Sequence, residues 1–249
     1  MQLRQSDFRH MLHIRGIKII SVLLLVVFAM SGLNGQADKT SYNYSTFKKK
    51  RFYFGLTLGY RNTNYQLRKS DKFILDDSIA VAESISGNGF AVNAIVNMKI
   101  GEYFDFRILP TIAFSDRRFD FTLTDNKKHV DRIESVFVEL PLLVRYKSAP
   151  YKDKKVFLTT GVNYSYDVQS NARVRADRFN NIMRLSPHDF SLEFGAGMQF
   201  FFPYFIFSPE IKYSHGLENI LIYNNDLARN RVLEKVYSRT FTISLHFEG

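Results

Sequence analysis

The feature that most constrains this chain is an alternation of apolar and polar residues with a period of two. Phe52, Phe54 and Leu56, for example, alternate with Gly55 and Thr57. Successive side chains of a strand point to opposite faces of a sheet, so this pattern predicts a strand with one apolar face. Eight segments show it: residues 52–60, 88–98, 103–114, 135–146, 156–168, 189–200, 204–214 and 241–247. The chain is therefore predicted to be all-β, with eight strands.

The second face of these strands carries charge, and this indicates where the apolar face points. Asp105 and Arg107, for example, alternate with Phe104 and Phe106. A soluble lipocalin-like barrel is the alternative, but it turns its apolar face inward around a ligand. A membrane barrel instead shows its apolar face to lipid and keeps polar side chains in its lumen. We predict a lumen charge network made of Asp105, Arg107, Glu139, Arg145, Asp167, Glu193, Glu210 and Lys212.

The lengths of the links between these segments alternate as they do in outer-membrane barrels. Short links are predicted at residues 99–102, 147–155 and 202–203, and long links at residues 61–87, 115–134, 169–188 and 215–237. We therefore predict an eight-stranded antiparallel transmembrane β-barrel with short periplasmic turns, long extracellular loops and both ends in the periplasm. Pro141 falls inside the fourth strand, where proline removes a ladder donor, and predicts a bulge there.

The N-terminus has the pattern of an export signal. Basic residues precede an apolar run at residues 19–30, and small residues follow it at residues 31–35. A transmembrane anchor is the alternative, but a bilayer helix needs roughly 20 apolar residues. Residues 1–35 are predicted to be a cleaved signal peptide, residues 36–51 a basic periplasmic segment and residues 52–249 the barrel. The mature chain is expected in the cell outer membrane.

Composition narrows the choice of partners. The chain has a net charge of +10 and no cysteine, which excludes a cysteine-linked zinc site, a disulfide framework and a lipid anchor on cysteine. No nucleic-acid-binding motif is present, so we expect outer-membrane lipid, including lipopolysaccharide, or a protein partner, and no nucleic acid. The candidate partner or lipid contacts, which could alternatively be solvated surface, are Lys48, Lys49, Lys50, Arg51, Arg117, Arg118, Arg173 and Arg175.

Candidate catalytic residues are few. Ser244 and His246 stand two apart in the last strand, and an outer-membrane lipid A deacylase uses a serine and histidine of this kind, but these two fall on the predicted lumen face. The sequence has neither a His-Glu-x-x-His metal motif nor a glycine-rich phosphate loop that follows a strand and opens a helix. We expect no cofactor, no metal and no catalytic activity. An eight-stranded barrel is filled by side chains, so a conducting porin is not expected either.

Three segments carry a resemblance to known proteins. The run Glu139-Leu140-Pro141-Leu142-Leu143 is similar to a strand common in outer-membrane barrels of Bacteroidota. The opening residues 51–60 and closing residues 237–248 resemble the PorT family, also called SprT. The resemblance implies a component of the type IX secretion and gliding machinery that supports export of sorting-signal proteins, and it implies other subunits of that machinery as partners. One departure is that Glu248 and Gly249 follow Phe247, whereas many barrels end in an aromatic residue. The alternatives are a lipid-modifying enzyme and a plain structural or adhesive barrel.

Overall fold

The computed structural model describes residues 42–69, 79–123, 128–169, 185–222 and 233–249. The predicted signal peptide, residues 1–35, and the candidate contacts Arg173 and Arg175 lie outside these ranges. In the part of the chain that is described, no helix is long and apolar enough to cross a bilayer.

One helix and ten strands make up the described chain. They are α1 (Tyr42–Lys48), β1 (Phe52–Lys69), β2 (Ile79–Ile85), β3 (Gly87–Ile100), β4 (Phe104–Ile108), β5 (Thr111–Leu123), β6 (Lys128–Lys147), β7 (Lys154–Asp167), β8 (His188–Phe201), β9 (Ile206–Gly216) and β10 (Leu233–Glu248). Only Ser86 separates β2 from β3, and only Leu109 and Pro110 separate β4 from β5. These two pairs each continue one wall strand, so the wall has eight.

The wall strands form a closed antiparallel ring. Each pairs with its neighbours along the chain, and β1 pairs with both β3 and β10. Leu56 lies opposite Ala94 on one side and Phe247 on the other. Closure leaves no unpaired sheet edge along this part of β1, which is the condition for a sheet inside a bilayer. The predicted eight-stranded antiparallel barrel is confirmed.

The apolar face of the barrel points outward. Phe54 and Leu56 are 61% and 62% exposed, whereas Tyr53, just before Phe54, and Thr57, just after Leu56, are 3% and 1% exposed. The same alternation runs around the ring and leaves a continuous surface of Phe, Leu, Val, Ile and Tyr side chains. A soluble monomer rarely exposes so large an apolar surface to water, whereas the hydrocarbon core of a bilayer shields such a surface from water. We call this surface the lipid-facing belt.

Both ends of the ring lie at the same rim. β10 ends at Glu248 opposite Gly55, near the start of β1, and Gly249 continues the pairing by donating to the Phe54 carbonyl at 2.9 Å. The links at residues 101–103, 148–153 and 202–205 lie at this rim, which we call the short-turn end. We call the opposite rim, where β1 ends at Lys69, β5 at Leu123 and β7 at Asp167, the long-loop end.

The strands reach further towards the long-loop end than predicted. β5 continues to Leu123 and β6 begins at Lys128, so the link predicted at residues 115–134 consists of residues 124–127. β1 likewise continues to Lys69 into the link predicted at residues 61–87. The apolar alternation ends where a strand leaves the lipid-facing belt, but backbone pairing needs no apolar side chain and continues beyond it.

The predicted bulge at Pro141 is wrong. Pro141 lies opposite Asn163 of β7 without a shift of register, and on the other side the register is the same before and after the interruption, with Ile108 opposite Leu142 and Thr111 opposite Glu139. Pro141 accepts a hydrogen bond from Leu109 N at 3.2 Å but has no N–H to return. The Thr111 hydroxyl donates to the Leu109 carbonyl at 2.6 Å instead. A side chain therefore replaces the missing ladder donor, and no extra residue is needed.

Candidate functional site: the barrel interior and the short-turn mouth

All eight residues of the predicted charge network lie on the inward face and are buried. They do not form one network, because the structure divides them into separate groups along the barrel axis. Four partners outside the predicted charge network complete these groups: Arg61, Lys147, His246 and Glu248.

The central group is built around Glu248. Its carboxylate accepts from Arg107 Nη2 at 2.7 Å and from Arg145 Nη1 at 3.3 Å, and all three side chains are fully enclosed. Arg107 Nε also donates to the Asn97 amide oxygen at 3.1 Å, and the Arg145 guanidinium lies 3.7 Å from the centre of the Phe157 ring. Two guanidinium groups thus donate charge-assisted hydrogen bonds to one carboxylate at the centre of the barrel.

His246 lies beside the central group and contacts side chains of the two neighbouring strands, β1 and β9. Its Nδ1 lies 2.6 Å from the Thr57 hydroxyl and its Nε2 lies 2.6 Å from Glu210 Oε2. Glu210 is in turn 3.9 Å from Arg145. Both ring nitrogens are therefore engaged, and neither is left to activate Ser244, which the sequence placed beside His246 on the same face. Thr57, His246 and Glu210 are all buried, so this arrangement orients the imidazole inside the wall rather than presenting it to a lipid substrate.

The remaining groups are pairs closer to the two rims. Lys212 donates to Glu193 at 2.7 Å, Arg61 to Glu139 at 2.7 Å and Lys147 to Asp105 at 2.5 Å. Ser135 donates to Asp167 at 3.1 Å. In the three ion pairs the opposite charges lie on neighbouring or facing strands, so each of these six charges has a compensating partner within the lumen.

The period-two pattern could have found the missed partners. Arg61 continues the inward series of Thr57 and Gly59, but it lies just beyond the predicted first strand. Lys147 continues the inward series of Arg145 but was assigned to a turn, and Glu248 continues that of His246 but was assigned to the tail. Each was lost because a strand boundary was placed one residue too early.

An apolar cluster and a small cavity also lie in the interior. Ile95, Leu109 and Leu143 form an apolar cluster on the inward face. Nearer the long-loop end, a cavity of about 30 Å³ is lined by hydroxyl-bearing side chains together with Arg61 and Glu139. Such a cavity has room for a water or two and for nothing larger. Along the described chain, side chains therefore occupy the interior of the barrel.

The helix α1 covers the short-turn mouth. Tyr44 and Phe47 stand three apart on one helical face and are buried against Tyr53, Phe201 and Ile206, the inward residues at the ends of β1, β8 and β9. The Tyr44 and Phe201 rings meet edge to face at 5.1 Å. A helix of seven residues is marginal by itself, so its stability comes from this apolar contact.

Polar contacts fix both ends of α1. Asp153 accepts from the Tyr44 backbone N–H at 2.9 Å, and Lys99 donates to the Phe47 carbonyl at 2.7 Å, which places an anion at the helix start and a cation at its end. Lys152 and Asp153 have φ of 44° and 56°, the conformation of a two-residue hairpin turn, and this turn delivers the Asp153 carboxylate. Burial raises the pKa of the Tyr44 phenol, whose oxygen accepts from Lys155 at 2.9 Å.

The predicted partner contacts at this end are exposed. Lys48, Lys49, Lys50 and Arg51 connect α1 to β1 at the rim, and Lys48 lies 3.7 Å from Glu102 in a solvent-exposed pair. We call these four residues the basic connector. The segment predicted as a basic periplasmic extension is thus a helix anchored in the mouth, followed by an accessible cationic link. Arg117 and Arg118 lie in β5 at the opposite end, but their side chains are outside the described part of the structure.

The chain matches one family model and is similar to several solved structures. A family model described as outer membrane protein beta-barrel domain matches residues 34–221. The chain is similar to the outer membrane protein OprG from Pseudomonas aeruginosa at 12% identity, with 79% of this chain and 93% of that chain covered and a TM-score of 0.47. Neisserial surface protein A, NspA, has 11% identity, 79% and 96% coverage and a TM-score of 0.42. No curated protein matches the sequence.

Proposed function

Because this chain belongs to the outer membrane β-barrel protein family and hence resides in the outer membrane, we propose that it is a non-catalytic component of a protein-secretion machinery. The machinery we propose is the type IX secretion and gliding machinery, in which the chain supports export of sorting-signal proteins. Its contribution is to bind or assemble other subunits, and secreted proteins do not pass through it.

The observation that carries this proposal is the occupied interior. Arg107, Arg145 and Glu248 meet at the centre of the barrel with no exposed surface, and α1 covers the short-turn mouth. Moving these charges apart to open a path would leave them uncompensated in a low-dielectric interior, at a cost of about 3–5 kcal/mol for a broken pair. A folded polypeptide or an extended chain needs far more room than an eight-stranded barrel contains.

The choice of machinery is supported by the resemblance of residues 51–60 and 237–248 to the PorT family. These two segments are neighbours in the structure, where Leu56 lies opposite Phe247 and Tyr60 opposite Ile243. They therefore form one continuous part of the barrel wall, at the seam where the first and last strands meet. A shared sequence pattern on both strands of this seam supports a common architecture.

The candidate docking surface is the basic connector. Lys48, Lys49, Lys50 and Arg51 are exposed at the short-turn end, which faces the periplasm in outer-membrane barrels. α1 is anchored at both termini, so these four cations are held at a defined place on the rim. An acidic surface of a periplasmic subunit would complement them.

The two alternatives make different demands. A lipid-modifying enzyme needs its catalytic group at the lipid interface, whereas His246 is buried between Thr57 and Glu210. We therefore expect Ser244→Ala and His246→Gln to leave secretion unchanged as long as the barrel folds. Loss of secretion in a folded, inserted His246→Gln protein would favour the enzyme. A plain structural or adhesive barrel predicts instead that deleting the protein leaves secretion intact.

The proposal is tested by replacing Lys48, Lys49, Lys50 and Arg51 with glutamine in the full chain and expressing it in a deletion strain. The deletion strain itself should fail to secrete sorting-signal proteins. The glutamine variant should insert normally but recover several-fold less of the other machinery subunits in a pull-down, because its side chains keep their size and lose their charge.

The matched control replaces Lys152 and Lys154, two exposed lysines of the neighbouring β6 to β7 turn, with glutamine. Recovery and secretion should both be unchanged. Normal secretion in the deletion strain would contradict the type IX assignment. Equal loss of recovery in both variants would show that overall charge, rather than the basic connector, attracts the partner.

A further inference from the structure

Two adjacent rungs of the barrel wall hold one backbone hydrogen bond each. Ala94 N donates to the Pro110 carbonyl at 2.9 Å, and Leu109 N donates to the Pro141 carbonyl at 3.2 Å. Neither proline has an N–H with which to return the bond. These rungs lie at the interruption between β4 and β5, where β3, β5 and β6 run side by side. Two prolines thus remove backbone donors at adjacent rungs of the wall, inside the lipid-facing belt.

A groove of about 750 Å³ lies over this place on the outside of the barrel. Its volume is in the range of small-molecule sites, which is about 300–1,000 Å³. Small or flat side chains at Ala94 and Pro110 leave the depression, and larger apolar side chains border it. The lining residues of the belt are Leu56, Val92, Ala94, Pro110, Ile112, Val138, Leu140, Tyr164 and Tyr166.

The polar residues at the floor of the groove turn their side chains inward, where they already have hydrogen-bond partners. They are Asn93, Thr111 and Glu139, all of them buried. Asn93 Nδ2 donates to the Thr111 hydroxyl at 2.6 Å, Thr111 donates to the Leu109 carbonyl, and Glu139 is paired with Arg61. A ligand gains little by displacing these bonds, so the recognition surface is the apolar wall.

The two tyrosines give the groove a direction. Tyr164 and Tyr166 lie near the end of β7 at the long-loop side, and the Tyr164 hydroxyl is 2.7 Å from His188 Nδ1. Tyrosines of this kind stand where an apolar region meets a polar one. The groove therefore runs from the hydrocarbon region towards the outer rim, with its polar border at the long-loop end.

From these observations we infer that the groove is a binding site for one acyl chain of an outer-membrane lipid, with the lipid headgroup at the long-loop end. The occupant follows from position, since the groove is continuous with the lipid-facing belt and opens onto hydrocarbon. An ordered chain fills the depression that the Ala94 and Pro110 rung leaves, and so covers the rungs that lack a backbone donor. This site is independent of the proposed secretion role.

The test uses the full-length mature protein in lipid nanodiscs that contain a phospholipid with a diazirine in its acyl chain. After photolysis, labelled positions are mapped by mass spectrometry. Labelling is expected to concentrate on residues bordering the groove in β3, β5, β6 and β7, and to be reduced by excess of the same unlabelled lipid. Uniform labelling around the belt that is not reduced by unlabelled lipid would overturn the inference.

A pair of variants makes the test specific. Ala94→Phe fills the groove and should lower its labelling several-fold, whereas Ala196→Phe adds the same ring to the belt on β8, away from the groove, and should leave it unchanged. Unchanged groove labelling in a folded Ala94→Phe protein would also overturn the inference. If Ala94→Phe does not fold, Ala94→Leu replaces it, and the localised, competed labelling of the unmodified protein decides.

Discussion

Replacing Glu248 by glutamine is expected to destabilise the barrel by about 3–5 kcal/mol, because it removes one partner of a buried ion pair. Glutamine keeps the shape of the side chain and removes its charge. Arg107, which lies 2.7 Å from the carboxylate and is fully enclosed, then loses its counter-charge, and Arg145 loses one of the two carboxylates near it. The cost is high because water cannot reach these guanidinium groups.

The free energy of unfolding in lipid vesicles, measured by urea titration with a gel shift as readout, checks this expectation. Glu234→Gln is the matched control, because Glu234 lies on the same strand as Glu248 but is exposed. Its ion pair with Lys235, at 3.7 Å, is open to solvent. Its effect should stay within about 0.5 kcal/mol. Equal midpoints for the two variants would show that Glu248 does not anchor the central group.

The second large effect is expected on the lipid-facing belt. Leu142→Arg and Phe194→Arg each place a cation on a side of the wall that faces hydrocarbon. The cost is about 2–4 kcal/mol where the position lies near the bilayer midplane, and it falls towards either interface. The unfolding free energy in vesicles measures it. Thr159→Ser, on the inward face, removes one methyl group and should be tolerated. Comparable losses for both classes would contradict the assignment of faces.

The sequence was sufficient to predict the wall of this protein. Alternation is local, and a strand with Phe104 and Phe106 on one side and Asp105 and Arg107 on the other has only one arrangement that is stable in a bilayer. Strand number, antiparallel order and the outward face all follow from repeating this argument. The burial of the charged positions follows as well, because a strand has only two faces.

The arrangement of contacts within the interior could not be predicted in the same way. Whether Glu248 meets Arg107 or another cation depends on the stagger between strands distant in sequence, and alternation carries no information about stagger. The strand boundaries were placed where the apolar pattern stops, although backbone pairing continues beyond that point. That is how Arg61 and Lys147 were left out of the lumen.

The helix α1 and the wall groove were missed for a different reason. The segment Tyr42–Lys48 is too short to show helical periodicity, and only the docking of Tyr44 and Phe47 into the mouth makes it a helix. The groove arises because Ala94 and Pro110 lie opposite each other on neighbouring wall strands, 16 positions apart in the chain. Neither residue by itself predicts a depression in the wall.

The interior of the barrel is occupied by side chains, and we therefore expect that it does not conduct ions. Current through a planar lipid bilayer after insertion of the purified mature protein tests it most directly, with insertion verified by the gel shift of the same sample. We expect no stepwise current above that of the protein-free bilayer, because buried charge pairs and an apolar cluster occupy the lumen and α1 covers its short-turn mouth. Stable, stepwise open-channel currents from the inserted protein would contradict it.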